Sequence, residues 1–197
     1  MRTTLFTIGH STHALEHFLS LLTKHGIQAV ADVRSVPYSR RNPQFNREPL
    51  TQRLSGSGIA YVFLGRELGA RSDNSACYID GKVQYNNLAQ EPAFLEGLGR
   101  LRKGIASHRV ALMCAEKDPL TCHRTILVCR ELRSVDLEIE HILADGSVET
   151  NVAAEKRLLS MLNLSPDMFH SERECIEQAY ERQADRIAYS VPRRGKL

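Results

Sequence analysis

The chain of 197 residues contains no apolar run approaching the ~20 residues that a bilayer-crossing helix needs. Its opening, MRTTLFTIGHS, has one basic residue and reaches polar His10 and Ser11 before any run of signal-peptide length. Both absences lead to the expectation of a cytoplasmic protein with no membrane partner. Bulk charge is lacking too. A net charge of +3 and a pI near 8.6 give no general attraction for nucleic acid, so an electrostatic case must come from local clustering. Cys77, Cys114, Cys122, Cys129 and Cys175 are odd in number and lack the paired framework of a secreted disulfide domain, which fits a reducing compartment. None forms a C-x-x-C pair, the usual spacing of a structural zinc site. His13 and His17 stand four apart, but Ala14 occupies the place where an H-E-x-x-H motif carries glutamate. The expectation is therefore no metal and no other cofactor. Internal repeats and low-complexity segments are also absent.

What remains is ordinary globular composition, 25% charged and 42% hydrophobic, in a chain long enough for one packed core. Leu5 to Gly9 reads as a first strand. Leu15, Phe18, Leu19 and Leu22 give an amphipathic helix over His13 to His25, with Gly26 as its stop. Ala29 to Val33 is a second strand, completing a βαβ unit of the kind that builds parallel sheets. A short helix through Leu50 to Leu54, a strand at Ile59 to Leu64, a long irregular loop from Gly65 to Tyr85 and a helix from Pro92 follow. Beyond residue 132, Leu137 to Leu143 reads as a strand closing at an Asp145-Gly146 turn. Two helices end the chain, at Thr150 to Asn163 and from either Ser165-Pro166 or the capping box Ser171 to Glu174. The predicted fold is a mostly parallel α/β sheet with helices on both faces, a Rossmann-like three-layer sandwich with C-terminal helices.

The functional reading centres on RVALMCAEKDPLTCHRTILVCREL, Arg109 to Leu132: a buried strand, a polar loop, and a helix expected to open at Cys122-His123-Arg124. At the carboxyl edge of such a sheet a helix start offers backbone N–H groups and partial positive charge to an anion. Cys122 there is either a thiolate nucleophile or, with Ile126 and Cys129, part of a buried face. Glu116, just past the strand, is a candidate general base or a solvated loop acid. His10 and Ser11 end the first strand as candidate proton carrier and anion ligand, though Ser11 also suits a helix cap. Cys114 is ten positions before Arg124 and Cys122 only two, so the loop of phosphatases and rhodaneses is excluded, and Cys114 is read as a strand residue.

From Arg34 to Arg53 five arginines face one acid, Glu48, and no lysine intervenes. Arginine suits bidentate recognition of phosphate or carboxylate. Tyr38, Arg40, Arg41 and Phe45 are candidate nucleotide or nucleic-acid contacts, the alternative being that Phe45 and Leu50 pin the loop to the core.

TIGHS at Thr7 to Ser11, DVRSVPYSR at Asp32 to Arg40, YVFLGRELGAR at Tyr61 to Arg71 and LMCAEKDPLTCHR at Leu112 to Arg124 together resemble the family named domain of unknown function 488. The resemblance implies a compact α/β sandwich with these motifs gathered at one sheet edge, and it implies no reaction. The expected organisation is one domain over 1–197, with a family core at 1–148 and a helical extension at 149–197. The functional expectation is an enzyme, a hydrolase or transferase, acting on a phosphorylated small molecule, nucleotide or nucleic-acid end. Cys122, Glu116 and His10 would be catalytic, and Ser11, Arg34, His123 and Arg124 would hold the anion. A non-catalytic nucleotide- or nucleic-acid-binding protein, or a thiol-based redox regulator, is the competing expectation. The sequence leaves homo-oligomerisation open.

Overall fold

Short aliphatic runs alternate with helical periods through the computed structural model, which describes residues 3–134 and 136–192. The first half contains β1 (Thr3–Gly9), α1 (Leu15–Lys24), β2 (Ala29–Asp32), α2 (Arg47–Gly56), β3 (Ala60–Phe63) and α3 (Gly65–Leu68). A small hairpin, β4 (Tyr78–Ile79) and β5 (Lys82–Val83), precedes α4 (Tyr85–Leu88), α5 (Pro92–Ser107) and β6 (Val110–Cys114). After α6 (Arg130–Leu132) come β7 (Leu137–Ile142), β8 (Val148–Thr150), α7 (Asn151–Met161) and α8 (Glu172–Ile187).

Six strands form one sheet in the order β3-β2-β6-β1-β7-β8, parallel except for β8, which returns antiparallel on β7. The strands β6 and β1 at its centre are buried along both faces, as expected where helices cover each side. On one face Phe6, Ile8, Val30 and Met113 pack against Phe18 and Leu22 of α1 and Leu50 and Leu54 of α2. On the other, Leu5, Ala31 and Leu112 share a larger core with α5, residues 126–129, α7 and α8. The molecule is thus a three-layer α/β sandwich. Its C-terminal helices belong to the main core, with Leu158 and Tyr180 almost fully buried in it.

Local signals mark several element ends. Gly26 and Gly146 take positive φ after α1 and at the β7–β8 turn. The capping box at Ser171 and Glu174, rather than Ser165-Pro166, starts α8. The irregular loop expected over 65–85 is a correction: α3, β4 and β5 lie there and α4 begins at its end, because Leu68, Cys77, Val83 and Tyr85 are drawn into the larger core. Register aligns Gly9 with Cys114 and Asp32 with Met113, so the carboxyl ends of β1, β2 and β6 reach the same edge. No helix among the described residues is long and apolar enough to cross a membrane.

Candidate functional site

At that edge β6 runs out through Cys114, and residues 115–123 fold back over the end of β1. Gly9 permits this, since a Cβ there would overlap the Glu116 carbonyl oxygen. Asp118 accepts from the Leu120 N–H and starts a single 3-10 turn, Pro119–Thr121. Cys122 is extended, and a π-helical segment, Arg124–Cys129, follows and runs into α6. The expected α-helix opening at Cys122 is therefore a correction. Its backbone donors are also spent: Cys122 N–H bonds the Pro119 carbonyl, Thr125 and Ile126 bond the Cys122 carbonyl, and Arg124 N–H points at Cys122 Sγ at 3.4 Å. Four of the five N–H groups from Cys122 to Ile126 are thus occupied within the turn itself.

Arg124 is a second correction. It is fully buried, and its guanidinium donates to the Glu116 carbonyl at 2.7 Å, the Lys117 carbonyl at 3.3 Å and Thr7 Oγ1 at 3.4 Å. It holds the loop in place instead of facing a ligand. Arg34 is almost as deeply committed: it pairs with Asp32 at 2.6 Å, donates to the Phe45 carbonyl and points Nη1 at His10 Nε2 at 3.2 Å. Tyr61 donates to the same Asp32 carboxylate at 2.7 Å.

His10 lies behind Arg34. Its Nδ1 meets the Ser11 carbonyl at 2.9 Å, which can only accept, so Nδ1 carries the proton and Nε2 accepts from Arg34. Burial, then the charge of Arg34, lowers its pKa to about 4. Its ring stacks on Phe45 at 4.4 Å, and Phe45 in turn meets Phe18 edge-on and is fully buried. Phe45 therefore has no face for a base, a third correction; it pins the loop. Tyr38, Arg40 and Arg41 stay exposed, with Tyr38 bonded to Glu48 at 2.7 Å. Ser11 sits at φ 47 in the turn before α1, whose N-cap is Ala14.

What the fold does bring together is a cluster that sequence spacing hides. Ligand atoms of Cys114, Glu116, Cys122 and His123 all lie within 4.8 Å of one another. Cys122 Sγ is 3.0 Å from Glu116 Oε2, and Cys114 Sγ is 3.6 Å from His123 Nδ1. His123 Nε2 bonds the Val33 carbonyl at 2.9 Å. Burial opposes charge on Cys122, but the hydrogen bond with Cys114 and the charges of Arg124 and His123 outweigh it and hold this thiol well below the usual range. Burial and the neighbouring Cys122 push Cys114 up, and burial and Cys122 likewise raise the Glu116 carboxyl. His123 is raised despite its burial, through its bond to Cys122. Cys114 is thus more than a strand residue, and the absence of C-x-x-C did not prevent the donors from converging.

Cys114, Glu116 and His123 line a pocket of about 330 Å³ whose wall also includes Arg34, Arg71 and Tyr189. Arg71 lies over the Tyr189 ring at 4.1 Å. Arg71 and Tyr189 were missed as site candidates; Arg71 ends the YVFLGRELGAR segment, while Tyr189, beyond α8, carries no local signal. His10, Ser11, Cys122 and Arg124 lie outside this lining. A larger open depression of about 730 Å³ beside β7 gathers Arg133, Glu155 and Arg173, without thiol or imidazole.

No curated protein and no solved structure matches the chain. A family model does, over residues 14–130, more than half of the sequence and spanning α1 through the Cys114–Arg124 loop. The chain belongs to the family described as Domain of unknown function DUF488.

Proposed function

We propose that the pocket at the carboxyl edge of β6 is the site of an enzyme, a hydrolase or transferase, that takes a small anionic substrate such as a phosphorylated metabolite or a nucleotide. The observation that carries this reading is that one cavity joins groups able to move protons or attack, at Glu116, His123 and Cys114, with the cation of Arg71. About 330 Å³ is at the small end of the roughly 300–1,000 Å³ typical of ligand pockets. Arg71 has no carboxylate in ion-pair contact among the described residues, whereas the charge of Arg34 is answered by Asp32. In this reading Arg71 anchors the anion, Arg34 shapes the wall, and Glu116 exchanges a proton with the reacting group, while Cys122, buried behind the lining, holds the Glu116 carboxyl at 3.0 Å. Glu116 is an exposed residue at the mouth, where a substrate can reach it.

Calorimetric titration with inorganic phosphate and nucleoside monophosphates, with a phosphoester turnover screen, tests this. Arg71→Ala should weaken binding about tenfold, the loss of one charge-assisted contact. Glu116→Gln should keep binding and lose turnover. Binding that ignores Arg71, or no anion binding at all, would remove the reading. A second reading, a nucleic-acid-binding protein, draws on the exposed Tyr38, Arg40 and Arg41 on one loop. It expects strong salt dependence of single-strand binding and no sensitivity to Glu116→Gln.

A further inference from the structure

We infer that Cys114, Cys122, His123 and Glu116 form a binding site for one zinc ion. The inference goes beyond the anionic-substrate reading and stands on ligand geometry alone. Four donors within 4.8 Å of one another are close to the edges of a zinc tetrahedron, about 3.3 to 3.8 Å for metal–ligand bonds of about 2.0 to 2.3 Å. Cys114 Sγ to His123 Nδ1, at 3.6 Å, already has such a length, and Cys122 Sγ to Glu116 Oε2, at 3.0 Å, is slightly inside it.

The imidazole supplies an independent observation. His123 Nε2 faces the Val33 carbonyl at 2.9 Å, and a carbonyl cannot donate, so Nε2 bears the hydrogen. In the neutral form that a metal ligand takes, the lone pair is then on Nδ1, which faces Cys114 Sγ at 3.6 Å. Locking the far nitrogen to a backbone carbonyl is how metal-bound histidines are oriented. His123 is buried, as are both cysteines, and the chain around them is held by Arg124 through the carbonyls of Glu116 and Lys117. Cys122 Sγ also receives the Arg124 backbone N–H, a contact that stabilises a coordinated thiolate.

Two thiolates and an imidazole select a borderline-soft dication over magnesium or calcium, which prefer all-oxygen shells. On binding, the protons still held by the ligand groups pass to solvent and each sulfur gives an electron pair to zinc, with no change in oxidation state. Three ligands are buried and the fourth, Glu116, is exposed at the pocket mouth. Three fixed ligands and one exchangeable position are the form of a site open to water or substrate, unlike a closed four-cysteine structural site.

The full-length wild-type protein, loaded with zinc and desalted, should hold one zinc per chain by elemental analysis. X-ray absorption at the zinc edge should show a first shell of two sulfur and two nitrogen or oxygen neighbours. Cobalt(II) in place of zinc should give thiolate-to-cobalt charge-transfer absorption. Cys122→Ser and Cys114→Ser should lose stoichiometric zinc, whereas Cys129→Ser, a buried cysteine outside the cluster, should keep it. A shell of nitrogen and oxygen alone, or no retained metal in the folded wild-type chain, overturns the inference without reliance on any variant. Zinc retained at full stoichiometry in a folded Cys114→Ser, Cys122→Ser double variant overturns it as well. Because these readouts are independent of turnover, a zinc-loaded protein that binds no anion would refute the substrate reading and leave the metal site standing.

Discussion

The guanidinium of Arg124 donates to the main-chain carbonyl of Glu116 at 2.7 Å, from a position with no exposed surface. This bond and its neighbour to Lys117 at 3.3 Å fasten the loop that carries Glu116 to the segment that carries Cys122 and His123. Replacing Arg124 by methionine keeps most of the volume but leaves two carbonyls short of a donor. At about 1–3 kcal/mol for each acceptor left unpaired, a loss of roughly 2–6 kcal/mol is expected in urea unfolding. Lysine should recover only part of it, since one ammonium cannot copy the planar fork.

The same bond explains what sequence could not disclose. The strands, the major helices and the edge on which the site sits follow from aliphatic runs and helical periods, and β1, β2 and β6 lie close to where those patterns put them. Motif chemistry marked His10, Arg34, Glu116, Cys122, His123 and Arg124, but it could not say which cations were free. Arg34 is spent on Asp32, its neighbour but one, and Arg124 on the Glu116 and Lys117 carbonyls of the preceding loop, contacts fixed by turn geometry that residue type and spacing do not record. Cys114 escapes such reasoning because linear spacing tests only local ligand pairs. Here a strand end, a reversed loop and a 3-10 turn bring the sulfurs together, which no short-range pattern records.

Gly9 is where the loop crosses β1, and its lack of a side chain is what lets the Glu116 carbonyl lie against the strand. The obstruction is backbone, which cannot rotate away as the tip of a side chain can. Gly9→Ala should therefore push residues 115–118 off β1, costing at least about 1–3 kcal/mol as overpacking does, and should disrupt the cluster at the same time. Gly99→Ala, with open space around the added methyl, is the matched control and should be neutral or slightly stabilising because α5 gains a better helix former. Comparison of denaturant midpoints and zinc content of the two variants tests the assignment.

Asp32 and Arg34 form a buried pair at 2.6 Å, with Tyr61 also bonded to the carboxylate. Removing one partner from such a pair leaves an uncompensated charge, so Asp32→Asn should cost about 3–5 kcal/mol. Arg34→Met should be costly too, because Asp32 and the Phe45 carbonyl lose their donor. The double variant should be distinctly more stable than the sum of the two losses implies. A double-mutant cycle from urea denaturation measures this; strict additivity would mean that the pair does not act as a unit.

His141 gives the fold a pH dependence that is separable from the site. It is fully buried on β7, between Thr7 Oγ1 at 2.8 Å and Asn151 Oδ1 at 3.2 Å. Burial, then the charge of Arg124, lowers its pKa from 6.5 to about 4. The folded protein therefore keeps this ring neutral over a range in which the unfolded chain protonates it. Between those two values the unfolded state binds more protons, so stability falls as pH drops from about 6.5 to about 4 and is fully present above that window. At about 1.4 kcal/mol per pH unit the contribution amounts to roughly 3 kcal/mol. Subtracting the unfolding free energies of His141→Gln from those of wild type at each pH isolates it from other titrating groups. The difference should shrink steadily across the window and level off below pH 4; a difference independent of pH would show that the folded protein tolerates charge on this ring.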